Sequence, residues 1–302
     1  MTGASRRAGH VYSVYGLTVA SDVELPELTG GSGVPDIVIS QFPGESQPPD
    51  LAGTYAFHGG ADDVTLEFPQ TATITVHAGR EIVVRPRPGV DTRTVRAVLL
   101  GPALAVLLHQ RGVLALHASS VLHPRGVVGF LGGSGWGKST MAGGLERRGC
   151  GLVADDITAV QPAPATIDVL PSFPQLKLWP EAAEALGLDP VTLPRVVAAE
   201  EKRARRVPGR LPEGRLQLAS LYVLADGEHV RVEPLAPREA LIELVRHSFC
   251  ARRLAELGAT RHFLQCGEVA RRVPVRRLVR PRNLALLDTV ADLVLQDVAR
   301  AP

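Results

Sequence analysis

The sequence predicts an α/β protein in two parts: a small β-rich domain over 1–92, and a larger domain of strands interleaved with helices over 93–302. Three observations carry this expectation. Short runs that alternate apolar and polar residues, punctuated by Gly, Pro, Asp and Ser, occupy 11–87 and read as half-buried strands. From Asp91 the apolar spacing changes to a helical period. Further on, the apolar run Gly126-Val127-Val128-Gly129-Phe130-Leu131 leads through a glycine-rich loop into an apolar-spaced helix, a strand–loop–helix unit. The composition, 45% apolar and 21% charged over 302 residues, is that of a globular chain with a substantial core.

In order, strands are expected at 11–15, 37–42, 64–68, 72–77 and 81–85, forming a small antiparallel sheet with turns at Gly59-Gly60 and His77-Ala78-Gly79, while 29–35 reads as loop. A helix is expected over 91–112 through Val95, Val98, Leu99, Ala103, Val106 and Leu107, bent at Gly101-Pro102 because proline lacks the N–H and crowds the preceding turn. The domain boundary is placed at its start. Strands follow at 113–116, 119–122 and 127–131, then a helix at 138–148 and a strand at 151–154. Further strands are expected at 158–160, 167–170, 175–178, 218–224 and 230–232, and helices at 180–186, 238–245, 250–257 and 283–299.

The loop Gly132-Gly133-Ser134-Gly135-Trp136-Gly137-Lys138-Ser139-Thr140 is a complete Walker A sequence. Its ligand is a nucleoside triphosphate with magnesium, since glycines let backbone N–H groups converge on phosphate while the following helix points its positive end at the anion. Gly133, Ser134, Gly135, Trp136, Gly137, Lys138, Ser139 and Thr140 are therefore the candidate nucleotide-binding residues, with Lys138 reaching the β- and γ-phosphates and Ser139 ligating Mg²⁺. The chain writes nearly every cation as arginine, and its sole lysines are Lys138, Lys177 and Lys202. A compact ammonium suits a nest of phosphate oxygens better than a planar guanidinium does, and the same reasoning draws attention to Lys177.

Asp155 and Asp156 follow at a telling distance. A helix of about eleven residues descends ~16 Å, and a strand of about five climbs ~16 Å back, so the two carboxylates end level with the loop. One can assist the metal while the other accepts a proton from an attacking hydroxyl. His117, at the end of the strand at 113–116, is a further candidate, although a lone histidine there is ordinarily a hydrogen-bonded structural residue.

The charge pattern narrows the partners. Net charge is only +2 and aromatics are 4%, which argues against nucleic acid. The start lacks the apolar core of a secretory signal, and the longest apolar stretch, 97–108, is broken by Gly101-Pro102, so a cytoplasmic protein without membrane association is expected. Cys150, Cys250 and Cys266 are widely spaced, as reduced thiols are. Two basic segments stand out: the arginines from Arg246 to Arg282, against only Glu256 and Glu268, and Lys202-Arg203-Ala204-Arg205-Arg206 in what reads as loop. The first reads as a solvated helix face; Lys202, Arg203 and Arg206, with Lys177, are candidates for holding an acidic acceptor.

Together, Leu116-His117-Ala118-Ser119-Ser120-Val121, the glycine-rich loop, Arg148-Gly149 and Leu152-Val153-Ala154-Asp155-Asp156 resemble, in order and spacing, the catalytic domain of the HPr kinase/phosphorylase family over about 113–160. The resemblance implies a fold related to ATP-dependent phosphoenolpyruvate carboxykinase, ATP and Mg²⁺ as cofactors, a serine hydroxyl as acceptor, and oligomers. It also implies roles: Lys138 on phosphate, Ser139 on the metal, Asp155 assisting it, Asp156 as catalytic base, and His117 beside the transferring phosphate. It does not extend to the glutamate-valine-arginine-glycine loop of that family's regulators, nor to their amino-terminal domain. A looser second resemblance covers most of the chain. Tyr15-Gly16-Leu17-Thr18-Val19-Ala20-Ser21-Asp22, Leu25-Pro26-Glu27-Leu28 and Pro174-Gln175-Leu176-Lys177-Leu178-Trp179-Pro180 are similar to the smaller HPr-kinase-like proteins of peptide natural-product pathways. Some of those, in lasso-peptide pathways, phosphorylate the carboxy-terminal serine of a precursor peptide. A nucleotide-gated regulatory module and a small-molecule kinase stay open as alternatives.

Overall fold

The computed structural model describes residues 9–44, 56–209, 211–249 and 259–300. The chain divides into two compact units, Met1–Arg111 and Gly112–Pro302. The helical segment assigned from sequence to the second domain thus belongs to the first unit, because its apolar face covers that unit's own sheet.

The first unit has, among the described residues, eight strands: β1 (His10–Val14), β2 (Leu17–Ser21), β3 (Thr29–Gly30), β4 (Ile37–Gln41), β5 (Ala56–Gly59), β6 (Asp63–Phe68), β7 (Ala72–His77) and β8 (Glu81–Pro86). Their order is β3-β1-β2-β4-β8-β7-β6-β5. Alternation sends Ile37, Ile39, Val64, Leu66, Ile74, Val76, Ile82 and Val84 into the core. Against β7 pack a π-helical turn (Leu99–Ala103) and helix α2 (Leu104–Gln110), which continue from α1 (Thr92–Val98). The expected bend is this widened turn around Pro102, which accommodates the ring without ending the helix. The sheet is mixed rather than antiparallel: β4 lies between β2 and β8 and runs parallel to both. The hairpin from β1 to β2 escaped the sequence reading because its two-residue turn is Tyr15-Gly16, both at positive φ, with Tyr where Asn or Asp is the usual signal.

The second unit has, among the described residues, β9 (Leu114–Leu116), β10 (Ala118–His123), β11 (Gly126–Leu131), α3 (Lys138–Glu146), β12 (Gly151–Ala154), β13 (Thr158–Pro162), β14 (Ile167–Leu170), β15 (Gln175–Leu178), α4 (Pro180–Ala185), β16 (Arg203–Arg206), β17 (Leu216–Asp226), β18 (Arg231–Pro234), α5 (Pro237–Arg246), α6 (Ala259–Arg272), β19 (Val275–Arg280) and α7 (Leu287–Arg300). The main sheet runs β12-β10-β11-β17-β14-β13-β9, with β19 beside β17 and β18 beside β19; β15 and β16 form a separate ribbon. Strand β11 is buried on both faces. Val128 and Phe130 join a core with Met141, Leu145, Leu176 and Val294, while Val127 and Leu131 join another with Val153, Leu221, Leu244 and Val269. A strand covered on both sides reads as one unbroken apolar run, which is why it was recognisable.

The topology opens a gap where the site lies. β9 pairs with β13, whereas β10 pairs with β11 and β12. At residue 117 the chain therefore leaves one arm of the sheet for another, and at 155–157, between β12 and β13, it crosses back. Thr158 ties the two crossings, donating from Oγ1 to the Ala118 carbonyl at 3.2 Å and bonding Ser120 Oγ at 3.1 Å.

Several expectations need correction. The segment 203–206, expected as loop, is strand β16, paired with β15. The arginines near the carboxy terminus are not one solvated helix face: Arg276, Arg277 and Arg280 lie on β19, where Arg276 pairs with Asp297 at 3.0 Å. Three arginines in six residues conceal that strand's alternation. Cys250, Glu256 and the helix expected at 250–257 lie outside the described residues. Among the described residues, no helix is long and apolar enough to cross a membrane.

Candidate active site

The glycine-rich loop joins β11 to α3, and Gly135 and Gly137 take φ of +76° and +85°, a region in which a Cβ is strained. Gly133 is needed for space: a Cβ there would lie 2.9 Å from the Trp136 indole, which folds back over the loop. Arg280, at the end of β19, donates to the Trp136 carbonyl and braces the loop from below. Lys138 is buried, and its Nζ donates to the carbonyls of Gly132 and Gly133, both at 2.9 Å. Burial pulls the ammonium down to about 8 despite the nearby carboxylates of Asp156 and Asp155.

Asp155 is buried and accepts three hydrogen bonds. Ser139 Oγ reaches Oδ1 at 2.8 Å, Ser119 Oγ reaches the same oxygen at 2.5 Å, and the Lys177 backbone N–H reaches Oδ2 at 2.7 Å. Asp156 turns through φ +77°, a left-handed conformation that aspartate tolerates better than most residues. The chain has left β12 by then, so both carboxylates face one cleft instead of opposite faces of a strand. The Lys177 ammonium lies 2.8 Å from Asp156 Oδ2, and His117 Nε2 lies 3.4 Å from Oδ1. Burial alone would raise the Asp156 carboxyl, but Lys177 and His117 together outweigh it and hold the group well below the usual carboxylate range. Lys177 thus fixes both aspartates, one through its main chain and one through its side chain.

The cleft brings together His117, Ser134, Gly135, Gly137, Lys138, Ser139, Thr140, Asp155, Asp156, Lys177 and Lys202. Trp179 also borders it, with the Lys202 ammonium 5.5 Å over its ring. Arg203 and Arg206 do not line it; Arg203 donates to Glu201 at 3.1 Å. Gly133 and Trp136 belong to the loop, but Trp136 faces a neighbouring cleft.

Two contributors were not read from sequence. Ser119, present in the sequence reading within the run 116–121 but with no role assigned, holds Asp155 because β10 lies beside β12. The stretch after α5 also returns to β9: the His247 carbonyl accepts the His117 N–H at 2.8 Å, and the Phe249 ring meets the His117 ring edge-on at 5.9 Å. Burial, then the charges of Lys138 and His117, push the His247 imidazole down to about 4. Contacts made by strand pairing over such separations leave no local signature.

The residues fit a magnesium-bound nucleoside phosphate. Ser139 and Asp155 offer the oxygen donors a hard divalent cation takes, positive-φ glycines leave the loop open to phosphate, and Lys138 already binds oxygen acceptors.

No family model matches this chain, and no curated protein matches it. Among solved structures it is similar to the HPr(Ser) kinase/phosphatase from Coxiella burnetii, at 14% identity and a TM-score of 0.33, over 62% of this chain and 97% of that one.

Proposed function

We propose that this chain is an ATP- and Mg²⁺-dependent cytoplasmic kinase that transfers the γ-phosphoryl group to a serine or threonine hydroxyl on a peptide or small protein. The acceptor we favour is a ribosomal precursor peptide of the lasso type, at its carboxy-terminal serine; the sequence likeness of 15–28 and 174–180 supports that choice. The observation that carries the kinase reading is the division of the aspartate pair: Asp155 shares a hydrogen bond with Ser139 of the loop, while Asp156 stands apart, held by Lys177 and His117.

Ser139 and Asp155 would hold the cation, and bound Mg²⁺ would neutralise charge on the phosphate oxygens. Lys138 would shift from the loop carbonyls to phosphate oxygens. Asp156 would orient the acceptor hydroxyl through a lone pair not used by Lys177 or His117. Its low basicity is compatible with a loose phosphoryl-transfer transition state, in which the hydroxyl proton departs as the bond to phosphorus forms. Lys177 and His117 keep the carboxylate aimed and ionised.

The test is mass analysis of candidate precursor peptides after incubation with the protein, ATP and Mg²⁺. A phosphorylated product that disappears in Asp156→Asn supports the proposal. If no peptide gains phosphate and Asp156→Asn leaves nucleotide turnover unchanged, it fails; nucleotide-dependent capture of a partner without product would point to a gated module, and phosphate on a metabolite to a small-molecule kinase.

A further inference from the structure

A second cleft, of about 240 Å³, opens on the other side of the loop. Its walls include Trp136, Met141, Trp179, Arg282, Leu284 and Leu287, and it shares Gly135, Gly137, Thr140 and Trp179 with the first cleft. We propose that it receives the heterocyclic base of the bound nucleotide. This deepens the nucleotide-binding reading above and rests on it.

Position comes first. The cleft adjoins the first turn of α3, where phosphate would lie, yet contains none of His117, Asp155, Asp156 or Lys177. It is therefore reached from the phosphate groups and not from the acceptor side. Surface chemistry agrees: Trp179 and Leu284 stand at its rim with 43% and 40% of their surface exposed, apolar area that a flat ring would cover. The Arg282 guanidinium lies 4.4 Å over the Trp136 ring, and its outer face is a second planar surface suited to stacking. The polar side chains on its walls are Thr140, Glu181, Arg280, Arg282 and Asn283; Arg280 is engaged with the Trp136 carbonyl and Arg282 with Asp226 at 3.1 Å. Asn283 uses Oδ1 to accept the Ala285 N–H at 3.0 Å, leaving an amide that donates, and Glu181 supplies an acceptor. Asn283 and Glu181 together offer a donor and an acceptor, which suits the mixed edge of a base.

The test is calorimetric titration of the full chain with ADP and, separately, inorganic pyrophosphate, each with Mg²⁺, for the wild type and for Leu284→Glu. ADP is expected to bind about tenfold more tightly than pyrophosphate, as one stacked base contributes. Leu284→Glu should erase that advantage, its pyrophosphate affinity showing that the loop is intact. Equal binding of ADP and pyrophosphate by the wild type would overturn the base cleft and leave the phosphate loop standing. An ADP advantage that survives Leu284→Glu would also overturn it. Binding of neither ligand would defeat both readings.

Discussion

Each unit carries a histidine–aspartate contact, and the two contacts differ in everything but composition. In the first unit His77 meets Asp63 across neighbouring strands, with side chains 53% and 69% exposed, and the hydrogen bond followed by the charge of Asp63 raises the imidazole. In the second unit His117 meets Asp156 with 32% and 30% exposed, beside the Lys177 ammonium and a buried Lys138. Water and salt screen the first pair, which decorates a strand end. The second lies where the chain crosses between arms of a sheet, so its charges act on one another through protein. Consequence follows from placement in the topology, not from the pairing itself.

The sharpest way to break this contrast is Asp156→Asn, expected to lower kcat about a thousandfold while ADP affinity, measured by calorimetry, stays near wild type. Lys177→Met comes next. Removing the opposite charge raises the Asp156 carboxyl, so the acid limb of the pH–rate profile should move upward towards ordinary carboxylate values, with activity at neutral pH down about tenfold to a hundredfold. An unmoved acid limb would mean that Lys177 does not set the state of Asp156.

The pH dependence of nucleotide binding sharpens the buried side of the comparison. Free Lys138 titrates at about 8, and phosphate favours its charged form. ADP affinity should therefore fall as pH rises above about 8, by up to about tenfold per unit. Fold stability moves the other way. The folded value lies below the unfolded one, so burial of the ammonium destabilises the fold below about 8, a penalty relieved as pH rises towards the unfolded value. The smallest effect belongs to Asp63→Asn, which should leave kcat unchanged and the melting temperature within about 1 °C of wild type.

The site was legible where its parts are local. The loop is a contiguous pattern, and the aspartates follow it by a helix and a strand whose lengths can be added. Lys177 was marked by the scarcity of lysine and by the likeness of 174–180, but its grip on both carboxylates depends on where β15 runs. Ser119, His247 and Phe249 enter through strand pairing that no local pattern records. In the fold, β4 could be seen as a strand but not as a parallel neighbour of β2 and β8. The helical segment of the first unit was visible, but nothing in its apolar spacing says which sheet it covers, hence the displaced boundary.

The Lys138 ammonium donates to two carbonyls of its own loop, so the site carries an internal competitor. A polyphosphate bound as proposed would have to draw that ammonium away and leave two oxygens to be rehydrated. A lone phosphate offers little in exchange, whereas a chain of phosphates brings further oxygens for the backbone N–H groups and for Ser139. Under the proposed function, the resting loop would favour a chain of phosphates over a lone phosphate, apart from any recognition of ribose or base.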